Sequence, residues 1–247
     1  MTPFAYTMQE DTSPRLGLVV LQVDETIEQD FRRLFAPDVA RLHVTRVPSG
    51  AELTPETIAG MAQDLPHATR LLPRGAPFDA VAYACTSGTT LIGADHVHAL
   101  VRDNVPTRAA TDPLTAALAA CARLGITRLG VVSPYIASVA DPIRRAFVTA
   151  GIDVPHTLSF GEEVEARVAR IAPASIRNAA VAVAGRGGLD AIFLSCTNLR
   201  TLDILAPLED ELGLPVLSSN QVLAWHMVQL AGVSLVGAGA GRLLDLG

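Results

Sequence analysis

Of the three cysteines in the 247-residue chain, two sit in near-matching surroundings. Cys85 follows Val81-Ala82-Tyr83-Ala84 and precedes Thr86-Ser87-Gly88, while Cys196 follows Ala191-Ile192-Phe193-Leu194-Ser195 and precedes Thr197-Asn198. A thiol at the end of a buried strand can act as an acid, as a base once ionised, or as a nucleophile. Two of them on opposite faces of one carbon suit inversion, one removing a proton while the other supplies one. Thiolate attack on an activated double bond is the second option. The third cysteine lies in Leu118-Ala119-Ala120-Cys121-Ala122 and reads as helix core.

The pairing belongs to a longer repeat. Arg15-Leu16-Gly17-Leu18-Val19-Val20 is nearly restated by Arg128-Leu129-Gly130-Val131-Val132-Ser133. Arg15 to Cys85 spans 70 positions and Arg128 to Cys196 spans 68. A proline-led short strand follows each cysteine, at Pro106 and Pro215, and then a helix. Four features in the same order and at nearly the same spacing imply an internal duplication. Around them, strand-length apolar runs alternate with helical patterns: a helix over 25–35, a strand near 42–47, a helix opened by Thr54-Pro55-Glu56-Thr57, a strand over 79–84.

This rhythm predicts an α/β fold of two pseudo-twofold-related Rossmann-like halves, each a parallel sheet flanked by helices. The expected divisions are a tail over 1–14, a first half over 15–121 plus 219–247, and a second half over 122–218. Ligands of open parallel sheets bind at the carboxyl ends of strands, so both cysteines should face the cleft between the halves. Thr86-Ser87-Gly88-Thr89-Thr90, at a predicted helix start, offers hydroxyls and N–H groups to a carboxylate, and Thr197 and Asn198 offer the same opposite. Taken singly these are ordinary capping residues. Beside duplicated cysteines they read as an anion cradle.

Composition narrows the chemistry. All 19 basic residues are Arg, so mechanisms built on a Schiff-base lysine or a P-loop lysine are excluded. A net charge of −6 with no dense Arg run speaks against nucleic-acid or anionic-membrane partners. No apolar run reaches spanning length, the first residues do not read as an export signal, and three free thiols suit a reducing compartment, so a cytoplasmic protein is expected. Asp95-His96-Val97-His98 is not expected to bind metal, since i and i+2 do not share a helix face. His43, His67, His156 and His226 show no partner pattern. Gly185-Arg186-Gly187-Gly188 reads as a helix end, and the glycine-rich tail at 237–241 as a flexible terminus.

The two Cys-Thr strand ends, with Gly17-Leu18-Val19-Val20 leading into Asp24-Glu25-Thr26, resemble the aspartate/glutamate racemase superfamily, within it the maleate isomerase and arylmalonate decarboxylase branch. The segment 16–31 is especially similar to the racemase-like proteins found with ectoine-utilisation enzymes. The resemblance implies no cofactor, no metal and a homo-oligomer, a dimer. It implies Cys85 as nucleophile or base, Cys196 as proton donor, and Tyr135 as a substrate-holding residue. The decarboxylases of the branch keep one cysteine, and this chain has both. Where the isomerases carry two asparagines, this chain has Asp24 and Glu165, which when ionised cannot donate to a substrate carboxylate. The expected substrate is a small carboxylate or amino acid, with an ammonium or other donor favoured over plain maleate. A single-thiol decarboxylase or lyase, and a non-catalytic carboxylate-binding protein, are the competing readings.

Overall fold

A computed structural model describes residues 3–9, 12–36, 39–52, 54–233 and 240–245. The first set of elements is β1 (Arg15–Leu21), α1 (Ile27–Leu34), β2 (Arg41–Val47), α2 (Pro55–Arg70), β3 (Phe78–Ala84), α3 (Thr86–Ile92), α4 (Ala94–Arg102), β4 (Thr107–Thr111) and α5 (Pro113–Leu124). The second set is β5 (Arg128–Tyr135), α6 (Ala137–Thr149), β6 (Asp153–Glu162), α7 (Glu165–Val168), α8 (Pro173–Ala184), β7 (Ala191–Leu194), α9 (Leu205–Leu212) and β8 (Val216–Ser218). Then come α10 (Ser219–Ala231) and α11 (Arg242–Asp245).

Each set forms one four-stranded, wholly parallel sheet, with orders β2-β1-β3-β4 and β6-β5-β7-β8. The two orders are the same, as the repeated sequence requires. The central strands read as unbroken apolar runs because helices cover both their faces. β1 and β3 are buried along nearly their whole length, whereas the edge strand β2 alternates with exposed residues. α10 packs on α5 and β3 of the first sheet. Among the described residues no helix is long and apolar enough to cross a membrane.

Local chemistry starts the helices where the sequence signals it. Thr54 and Thr57 form a reciprocal capping box with Pro55 at the first turn of α2. Asp112 caps α5 by accepting from Leu114 and Thr115 N–H groups, at 2.8 and 2.9 Å. After Cys196 the chain turns, makes one 3-10 turn at Leu202–Ile204, and then enters α9. One expectation needs correction. The tail is not free at its far end. Gln221 Nε2 donates to the Ala240 carbonyl at 2.6 Å and the Arg242 N–H donates to Glu209 at 2.7 Å, while 237–239 lie outside the described residues.

The repeated Arg-Leu-Gly has a packing cause. A Cβ on Gly130 would come within 2.6 Å of Val183 Cγ1 and 2.8 Å of the Ile192 and Leu189 tips; on Gly17 it would meet Val81 at 2.9 Å. In each half the third residue of the first strand is where the neighbouring layer closes in. Gly130→Ala is therefore expected to lose about 1–3 kcal/mol, the usual cost of overpacking. Gly17→Ala, whose contacts are looser, is expected to lose less. Urea unfolding of both variants measures this, and equal stability to wild type for Gly130→Ala would refute it.

Candidate active site

β3 and β7 carry the two cysteines to the carboxyl edges of their sheets. Cys85 is the N-cap of α3 and its sulfur accepts the Gly88 N–H at 3.1 Å, with the Ser87 hydroxyl 3.5 Å away. Cys196, two residues beyond β7, accepts the Asn198 N–H at 3.4 Å. Both thiols are reduced and buried, and both line one cavity. Its polar wall is completed by Ser87, Tyr135, Glu165 and Thr197, and its apolar wall by Leu21, Val23, Ile58 and Met61. Ser49, Gly50 and Thr57 close the remaining side.

Six of the ten sequence-derived candidates line this space: Cys85, Ser87, Tyr135, Glu165, Cys196 and Thr197. The other four stand behind it. The Asp24 Oδ1 atom accepts from the Thr26 and Ile27 N–H groups, at 2.8 and 2.9 Å, and so caps the start of α1. The Thr86 hydroxyl bonds to the Ser219 hydroxyl at 2.8 Å. Gly88 serves through its N–H and through lacking a side chain, since a Cβ would lie 2.4 Å from the Tyr83 hydroxyl and 2.9 Å from Cys85 Sγ. The Asn198 side chain is spent on protein partners: Oδ1 accepts from the Glu25 N–H at 2.9 Å and the Thr26 hydroxyl at 3.2 Å, and Nδ2 donates to Glu165 Oε1 at 2.9 Å.

Sequence reasoning missed the apolar wall, the 49–50 turn and Tyr83. Ile58 and Met61 carry only the spacing of a core-facing helix, and Tyr83 only that of a strand. The tempting histidines fall elsewhere. His98 pairs with Asp112 at 2.8 Å, and the Thr111 hydroxyl meets His226 Nδ1 at 2.7 Å. Among the described residues no group of three His, Cys, Asp or Glu is placed to hold a metal ion.

Burial dominates the electrostatics. It pushes the Cys85 thiol up to about 11, with the Ser87 hydroxyl, the Gly88 N–H and Tyr83 acting to lower it and Glu165 to raise it. Cys196 is pushed well above its ordinary value by burial and then by the Glu165 charge, against the Tyr135 hydroxyl and the Asn198 N–H. Glu165 is raised to about 7 by burial and by Asp24, despite the Asn198 amide. Asp24 is raised by burial, against the Ile27 and Thr26 N–H groups, the Thr197 hydroxyl and the Arg46 charge. None of the described residues lining the cavity is Arg or His.

Two outcomes follow from this geometry. Gly88→Ala should stay folded by circular dichroism yet lose at least tenfold in the pH-dependent alkylation of Cys85 or gain as much, because the sulfur must leave its N–H donor; an unchanged alkylation profile would remove Gly88 from the site. The second concerns stability. The native protein keeps the Glu165 proton up to about pH 7, whereas an unfolded chain releases it near 4.5. Between those values the unfolded state binds fewer protons, so this group's contribution to stability falls as pH rises through the window and is level above it. Glu165→Gln should thus gain about 2–3 kcal/mol relative to wild type between pH ~4.5 and ~7.5. Urea midpoints at the two pH values test this, and a constant difference would mean an unshifted Glu165.

Known proteins share this architecture. The family described as Amdase, arylmalonate decarboxylase, matches residues 49–244. The chain is 30% identical to the arylmalonate decarboxylase of Bordetella bronchiseptica over 96% of its own length and 99% of that protein. It is 24% identical to the maleate isomerase of Nocardia farcinica over 93% of its own length and 95% of that protein. Among solved structures, a cysteine-exchanged variant of arylmalonate decarboxylase in its liganded form superposes with a TM-score of 0.85 at 25% identity, covering 95% of this chain and all of that one. A Nocardia farcinica maleate cis-trans isomerase with a covalently bound succinylcysteine intermediate gives 0.81 at 21%, covering 95% and 99%. With the same two-sheet fold and a match that spans most of its length, the chain belongs to the arylmalonate decarboxylase family, whose matched relatives include a decarboxylase and a maleate isomerase.

Proposed function

We propose that this protein is an isomerase, a racemase or a cis-trans isomerase, that works on a small carboxylate between Cys85 and Cys196. The observation that carries the reading is the placement of both thiols on the wall of one cavity, each with a backbone N–H donor at its sulfur. In racemisation one sulfur, ionised, takes the proton from the carbon beside the carboxylate. The other, as thiol, delivers its proton to the opposite face, and the two exchange protonation states. In cis-trans isomerisation one thiolate adds to the double bond, the single bond so formed turns, and elimination restores the thiolate. The hydroxyls of Ser87 and Tyr135, which line the cavity, are the donors available to a carboxylate.

The covalent succinylcysteine of the Nocardia isomerase supports cysteine chemistry at such a site. The 30% identity to a decarboxylase favours a second reading, in which one thiol protonates the enolate left by loss of CO₂. The readings part on simple measurements. Racemisation requires uptake of deuterium at the α-carbon in heavy water and loss of optical activity. Cys85→Ser and Cys196→Ser should each lower turnover by ~10²–10⁴-fold, the range of a lost acid–base group. CO₂ release with only one cysteine essential would establish the decarboxylase instead. Ligand-induced thermal stabilisation without turnover, indifferent to both serines, would leave a binding protein.

A further inference from the structure

We propose that Glu165 receives an ammonium group of the substrate, so that the substrate is an amino acid and not a simple dicarboxylate. The inference rests on the two-thiol reading and assigns the group that selects what lies between the thiols.

Glu165 is 2% exposed, and what it meets is the cavity. Its Oε1 takes one donor, Asn198 Nδ2 at 2.9 Å, and its own N–H is spent on the Ala51 carbonyl at 3.1 Å. No cation lies among the described residues around this space, so the carboxylate is buried without a counter-ion. Behind it, Asp24 holds a second buried carboxylate, whose Oδ1 is taken by the Thr26 and Ile27 N–H groups. The other titratable groups facing Glu165 are Cys85, Cys196 and Tyr135, and each of them can add only negative charge. A dicarboxylate would bring two more anionic groups into this setting. An amino acid brings the missing cation, together with one carboxylate for which Ser87 and Tyr135 supply hydroxyls.

The same charge bears on the reacting atoms. Glu165 opposes ionisation of both thiols. Pairing with an ammonium offsets that repulsion, so the ligand that fits Glu165 also eases formation of the thiolate that must act as base. Recognition and activation would then share one side chain, which a purely structural glutamate would not do.

The test uses Glu165→Gln, which keeps shape and can still accept from Asn198, in the full-length chain. Folding is confirmed by circular dichroism. Its first arm needs no substrate: at pH about 8.5, where Glu165 is ionised in the wild type, iodoacetamide should alkylate Cys196 severalfold to about tenfold faster in the variant, since a tenfold change in thiolate corresponds to one pKa unit. The second arm follows α-proton exchange in heavy water with short 2-amino acids and their des-amino carboxylates as probes, and, separately, conversion of maleate to its trans isomer. Wild type should exchange a 2-amino acid and ignore its des-amino counterpart, and Glu165→Gln should lose at least tenfold toward the amino acid. Unchanged alkylation, or a wild type that handles maleate or a des-amino acid as well as any amino acid, overturns the inference. If those results come with both cysteines still essential, the two-thiol reading stands and the inference alone fails; indifference to Cys85→Ser and Cys196→Ser would sink the reading itself.

Discussion

One amide side chain joins everything that makes the cavity. Asn198 belongs to the second half, yet its Oδ1 holds the Glu25 N–H and the Thr26 hydroxyl of the first, and its Nδ2 holds Glu165. Its backbone N–H meets Cys196 Sγ. The loop after β1, the acid on α7 and the second thiol therefore share one reference point, at a residue fully excluded from water. Losing such an amide leaves buried partners unpaired at about 1–3 kcal/mol apiece. Neighbouring contacts reinforce the join: the Thr197 hydroxyl donates to the Ala84 carbonyl at the end of β3, and Asn220 Nδ2 donates to both the Thr197 carbonyl and Asp30, each at 2.8 Å. The two sheets meet through polar atoms at their carboxyl edges, which is where the thiols are.

A join so dry sets the terms for chemistry. A thiol held at about 11 is almost entirely protonated near neutrality, and ionising it there costs about 5 kcal/mol. Two N–H donors and three hydroxyls pull the other way but do not win. Desolvation wins, because it acts on every atom of both sulfurs, whereas each donor acts on one lone pair. The same low dielectric magnifies any charge that enters, so the polarity of the bound molecule matters more here than it would in an open cleft.

The legible part of this protein is what the chain states twice. The strand order, the matching glycines and the thiols at the strand ends all follow from the repeat, because a duplicated sequence must pack the same way to bury the same faces. Where the copies diverge, the repeat is silent: a helix starts at Thr86, whereas at Thr197 the chain turns and Asn198 reaches across to the other half. Residue type also said nothing of direction. Asp24 and Asn198 have the right chemistry for a substrate and are used up by N–H and hydroxyl groups of the protein, while Glu165, of the same kind, faces the cavity. Ile58 and Met61 were hidden because an apolar residue on a helix looks alike whether it faces core or ligand.

The rim of the cavity adds the last constraint. The segment that carries Ser49 and Gly50 is pinned by the Glu165 N–H on the Ala51 carbonyl and by an antiparallel bridge between Glu52 and Val164. Beneath it the Asn198 contacts are buried and reach Glu25, Thr26 and Glu165, so the floor of the cavity is held by more buried bonds than its rim. The backbone of Glu165 fastens the rim while its side chain lines the cavity, so one residue ties the rim to the polar wall.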